Sequence, residues 1–123
     1  MEYVSGNIFI RKNRLAKAGD FVDGHAHNFD HTSYVLKGAV LVEAVTPDGR
    51  TIRRVFRSPY HAAADLGEMD GATEGPNWFL VKAEVTHKIT ALIDDTEFDC
   101  IYSHRTPQGD VIQHWNGWQE ATW

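Results

Sequence analysis

WFLVKAEVTHKITALID, residues 78–94, alternates with period two along its length. Its odd positions are Phe79, Val81, Ala83, Val85, His87, Ile89, Ala91 and Ile93; its even positions include Lys82, Glu84, Thr86, Lys88, Thr90 and Asp94. Successive side chains of a strand point to opposite faces, so this pattern predicts half-buried strands with one apolar face. A helix would instead bring apolar residues together at spacings of three and four. The alternation also gives His87 a side: it belongs to the inward, apolar set.

The same rhythm extends in both directions. After a turn at Asp94-Asp95, the segment from Phe98 to His104 puts Phe98, Cys100, Tyr102 and His104 on one face. Upstream, His31 to Lys37 and Ala39 to Val45 read as strands joined near Gly38. Pro47-Asp48-Gly49 is a hairpin turn, from which Thr51 to Phe56 returns. Ser5 to Lys12 and Phe21 to His27 read as two further strands, with a turn at Ala18-Gly19-Asp20 between them. Residues 58–76 break the rhythm with prolines, glycines and an alanine run. They read as a long loop over a site, in which Ala62 to Met69 makes a helical turn or two. The segment 105–123 carries Trp115, Trp118 and Trp123 and is expected to pack on the barrel or on a second subunit. The chain therefore reads as one all-β domain over residues 1–123.

Composition narrows the function classes. A formal charge of -5 disfavours nucleic acid as a partner, because phosphate binding needs a basic face. Arg50, Arg53, Arg54 and Arg57 cluster near the predicted hairpin and read as a solvated face. The one cysteine, Cys100, rules out an internal disulfide and any cysteine-based zinc site, and it reads as a small buried apolar residue. No apolar run has the length of a signal peptide or a membrane span. The expectation is a cytoplasmic protein with neither membrane nor nucleic acid as partner.

The chain has 7 histidines in 123 residues, and three of them are His25, His27 and His31. By chance that spacing would arise in roughly 2% of chains of this composition, so the cluster asks for a chemical reason. His25 and His27 share a strand face, and a bend over Asn28-Phe29-Asp30 would return His31 to the same space. With His87 from the inward face, four neutral imidazoles make a sound shell for a divalent transition metal: Fe, Mn, Ni, Cu or Zn.

Gly19, His25, His27, His31 and Gly38, separated by five, one, three and six residues, resemble the first signature motif of the cupins. The departure is His31, where the usual residue is Glu. The second motif matches only at His87: Lys82 and Glu84 stand where Pro and Gly are usual, and Ala91 stands where Asn is. The first motif spans about residues 19–38 and the second about 78–93. The resemblance implies a double-stranded β-helix, the jelly-roll cupin barrel, often a homodimer, with one metal in the barrel mouth. It also implies His25, His27 and His87 as ligands, with His31 in the fourth-ligand position, as in four-histidine members of the family.

Replacing a carboxylate by imidazole leaves the site at +2, a stronger Lewis acid with two positions of an octahedral metal open. That favours an oxygenase or other oxidoreductase acting on a small molecule. The alternatives are a Lewis-acid isomerase or lyase, and a metal-bound barrel that binds a ligand or holds an assembly without catalysis. Tyr34, Tyr102 and His104 are the weak candidates for proton transfer. His61 is a candidate to cover the mouth, Asp23 and Asp30 to orient imidazoles, and His114 reads as a surface residue.

Overall fold

The structure is a computed structural model that describes residues 2–22, 30–59, 73–83, 85–111 and 119–120. The strands are β1 (Glu2–Ser5), β2 (Ile8–Leu15), β3 (Phe21–Val22), β4 (His31–Lys37), β5 (Ala39–Val45), β6 (Thr51–Arg57), β7 (Thr73–Glu74), β8 (Trp78–Val81), β9 (Thr86–Ala91), β10 (Thr96–Ser103) and β11 (Gln119–Glu120). They form two sheets. One runs β11-β1-β2-β10-β4-β8 and the other β3-β9-β5-β6-β7. Pairing is antiparallel except at the outer edges, where β11 joins β1 and β7 joins β6 in parallel. The all-β jelly roll expected from the sequence is the fold observed.

The chain changes sheet repeatedly, and two of the crossings show a local cause. Between β4 and β5, Gly38 has φ of +79°, and a Cβ there would collide with Thr96 Oγ1. Only glycine fits both the backbone and the space. Thr96 is fully buried and donates its hydroxyl hydrogen to the Ile93 carbonyl at 2.9 Å. Between β9 and β10, Asp95 takes the left-handed conformation, with φ of +59°. Its carboxylate receives Lys37 and Arg14, which hold its pKa below the usual carboxylate value, Lys37 foremost.

The alternation over residues 78–94 proves to be two strands in different sheets. β8 pairs with β4, and β9 pairs with β3 and β5. The connection closes with the Val85 N–H donating to the Lys82 carbonyl at 3.3 Å. Four residues, 82–85, separate the strands, an even number. Phe79, Val81, His87, Ile89 and Ala91 therefore all stay buried across the change of sheet.

The core between the sheets is built from the inward sets: Phe9, Leu15, Val35, Val40, Val42, Phe56, Ile89, Phe98 and their neighbours. Cys100 is buried there too, and its Sγ accepts from Ser33 Oγ at 3.2 Å and Asn13 Nδ2 at 3.7 Å.

One predicted strand is corrected. Ser5 to Lys12 is not continuous, because Ser5-Gly6-Asn7-Ile8 is the tight turn of the β1–β2 hairpin. Gly6 has φ of +58° and Asn7 does not share the positive sign, the pattern of a type II′ turn with glycine first. The two-residue β7 breaks into the long loop read over 58–76. The helical turn expected over Ala62 to Met69 lies outside the described residues, as do His25, His27, His61, His114, Asp23 and the three tail tryptophans.

Candidate metal centre and adjoining cavity

His31 opens β4 and faces inward with Ser33 and Val35, as the strand's alternation requires. Opposite it on β8 is Val81. On the other side of β4 lies Tyr102 of β10, whose ring centroid is 4.6 Å from that of His31. His87 belongs to the facing sheet, opposite Ala44 of β5. The two imidazoles meet across the sandwich with centroids 5.6 Å apart and planes at 58°. Both are buried.

The pair fits metal chemistry. Metal–imidazole bonds of ~2.1 Å put each ring centroid roughly 3.2 Å from a shared ion, so two rings on that ion stand about 4.5–6.4 Å apart. The observed separation falls within that span. His87 is also oriented. Its Nδ1 donates to the Val85 carbonyl at 3.3 Å, which leaves the lone pair on Nε2.

Among the described residues, no group of three or more His, Cys, Asp or Glu side chains gathers. The other two expected ligands lie in residues 23–29. Both described ends of that segment are anchored beside the pair. β3 runs antiparallel to β9 and ends at Val22, paired with Ile89. At the other end, Asp30 Oδ1 accepts the Ala83 N–H at 2.7 Å, immediately before His31. Asp30 thus ties the chain to the β8–β9 connection.

The weaker candidates separate cleanly. Tyr34 lies on the outer face of β4, opposite in parity to His31, and is exposed; it does not face the pair. Tyr102 does reach the pair, but burial, reinforced by Cys100, pushes its hydroxyl pKa far above the ordinary value. It stays protonated at neutral pH and is suited to donating a hydrogen bond, not to acting as a base. His104 is buried one strand repeat further on, stacked on Phe9 with centroids 6.3 Å apart and planes at 13°. Burial first, and then Arg105, lower its pKa, so it is neutral at pH 7.

A cavity of about 460 Å³ opens beside His87, between β8 and the β5–β6 hairpin. Val42, Ala44, Ile52 and Phe56 supply much of its wall, and Arg54 and Lys82 also line it. Phe56 and Phe79 pack ring to ring at 4.6 Å within it. Arg54 was not distinguished from its neighbours by sequence reasoning. The arginine cluster divides: Arg50 pairs with Asp48 and Arg53 with Glu43, while Arg54 turns to the cavity. The available signal was phase. Ile52, Arg54 and Phe56 share one phase, on which Phe56 is buried and Ile52 and Arg54 are exposed at the cavity rim.

The fold is shared with solved enzymes. An oxalate decarboxylase of Bacillus subtilis matches over 87% of this chain and 24% of its own, at 17% identity and a TM-score of 0.60. A second structure of the Bacillus subtilis enzyme, described for its Mn(II) centres, matches over 80% and 22%, at 20% identity and a TM-score of 0.59. An oxalate oxidase in complex with the substrate analogue glycolate matches over 79% and 42%, at 14% identity and a TM-score of 0.60. At these identities the likeness is one of fold, and the chain spans less than half the length of these matched proteins. No protein-family model and no curated protein sequence matches the chain.

Proposed function

We propose that the chain is a mononuclear metal-binding cupin acting on a small molecule as a metal-dependent oxygenase or oxidoreductase. The observation that carries this reading is the His31–His87 pair, buried and converging from opposite sheets at 5.6 Å. The proposed ligands are His25, His27, His31 and His87, around one divalent transition metal. Mn(II) in a structure of the same fold supports a divalent ion. When bound, such an ion supplies Lewis acidity and open positions for a chelating substrate or dioxygen. The residues of the chain supply orientation and dryness: Val85 fixes the tautomer of His87, and Tyr102 offers a protonated hydroxyl beside His31. The isomerase and lyase readings need a general base beside the metal, for which the sequence offers no clear candidate. A buried lone thiol fits a cytoplasmic protein.

We propose further that the chain forms a homodimer through the outer face of the larger sheet. Tyr34 and Trp78 are cross-strand neighbours there, and Ile8, Leu36 and Leu80 are also exposed, Leu80 by 65%. Two copies of such a face are self-complementary about a twofold axis. Leu80→Glu is expected to yield monomers in sedimentation equilibrium.

Elemental analysis of the purified protein tests the metal assignment. About one transition-metal ion per chain is expected, falling by most of its value in both His31→Ala and His87→Ala. Full stoichiometric metal in the two folded variants would overturn it.

A further inference from the structure

The cavity beside His87 has a chemical polarity of its own. Val42, Ala44 and Ile52 make an apolar wall, whereas Arg54 and Lys82 bring two positive charges to the lining. Among the described residues, no Asp or Glu lines it. Among the described residues, neither Arg54 nor Lys82 is in an ion pair, although five other basic side chains of this small domain (Arg11, Lys12, Arg14, Lys37 and Arg53) are each matched to an acid on a neighbouring strand or turn.

The placement of Arg54 is the sharper observation. Its cross-strand neighbour is Val42, a buried core residue, and its flanking same-face neighbours are Ile52 and Phe56. The opposite face of the hairpin offers Arg53 a partner in Glu43 at 3.4 Å. Arg54 is exposed at the rim of this apolar face with no ion pair among the described residues, and its fork of N–H donors matches a carboxylate.

We propose that this cavity binds a monocarboxylate with an apolar body, its carboxylate held by Arg54 with Lys82 as a supporting charge and its body against Val42, Ala44 and Ile52. The site orients such a molecule next to His87. It deepens the metal-centre reading by naming a substrate class, and it rests on that reading only for what happens at His87. A volume of about 460 Å³ accommodates a ligand considerably larger than a two-carbon acid, within the ordinary range for small-molecule sites.

Isothermal titration of the purified full chain with 3-phenylpropionate and with its neutral isostere 3-phenylpropanamide tests this. The carboxylate is expected to bind about tenfold or more tightly than the amide, the scale of a charge-assisted hydrogen bond. Arg54→Gln should erase that preference, Arg54→Lys should retain part of it, and Arg53→Gln should leave it intact. Equal binding of the two probes, binding of neither, or an undiminished preference in a folded Arg54→Gln chain overturns the proposal. Metal content measured on the same samples reads the metal centre separately: carboxylate preference without metal would sink the metal assignment alone, and metal without carboxylate preference would sink this one alone.

Discussion

Near the β4–β5 corner, the space between the sheets holds Val35, Val40, Ala91 and Phe98, each essentially inaccessible to solvent. At the opposite end, the same two sheets hold His31, His87 and Tyr102, with a cavity alongside. Strand parity directs side chains inward at both ends, and β4, β5, β9 and β10 run through both. The difference lies in what the inward positions carry. One end is filled with hydrocarbon, which stabilises by leaving water; the other with groups that favour burial only when their nitrogens and oxygens are matched. Stability and chemistry are thus separated along the same strands, and substitutions at the two ends should fail in different ways.

The largest effect belongs to the hydrocarbon end. Phe98→Ala is expected to cost about 3–5 kcal/mol of unfolding free energy in denaturant titration, because it empties a fully buried ring site. At the histidine end, the contrast should depend on metal. With the free ion at about a hundredfold over its dissociation constant, binding contributes roughly 2.7 kcal/mol. A chelator should therefore lower the melting temperature of the native chain and leave that of His87→Phe unchanged; equal shifts in both would erase the distinction between the ends. Gly38→Ala, at the hydrocarbon corner, forces a positive φ and a contact with Thr96, and about 1–3 kcal/mol should be lost.

The smallest effect sharpens the boundary between the ends. His104 has a folded pKa below its ordinary 6.5. Below that value the unfolded chain takes up the proton more readily than the folded one, so stability falls as pH drops from about 6.5 toward the folded pKa. The neutral imidazole's contribution is fully present above 6.5. His104→Gln should flatten that part of the stability–pH curve, measured by denaturation between pH 7.5 and 5; an unchanged slope would remove His104 from the account.

Much of this arrangement was legible in residue order. β4 and β5 were bounded correctly because their alternation is bracketed by Gly38 and by a proline–aspartate–glycine turn, whose backbone needs few other sequences meet. His87 is placed inside by parity alone, and His31 by the bend before it and the motif spacing. The strand read from Ser5 to Lys12 failed because its apolar phase carries on past Gly6, and only the positive φ there shows the reversal. The parallel edge strands β7 and β11 are two residues long, too short for any periodicity to register. Tyr34 was proposed without regard to its phase, which already opposed that of His31. Arg54 was hidden by its neighbours: four arginines in eight residues read as solvent-facing until the register separates one from the rest.

Cys100 carries one more consequence. It is the chain's single thiol, enclosed between β2 and β4 where Ser33 and Asn13 meet its sulfur, and burial raises its pKa. A thiol reagent can consume it only when the central ribbon β2-β10-β4 parts. The labelling rate under native conditions is therefore a clock for that parting, built into the molecule without an added probe, and it times the breathing of the barrel independently of whatever the histidines hold.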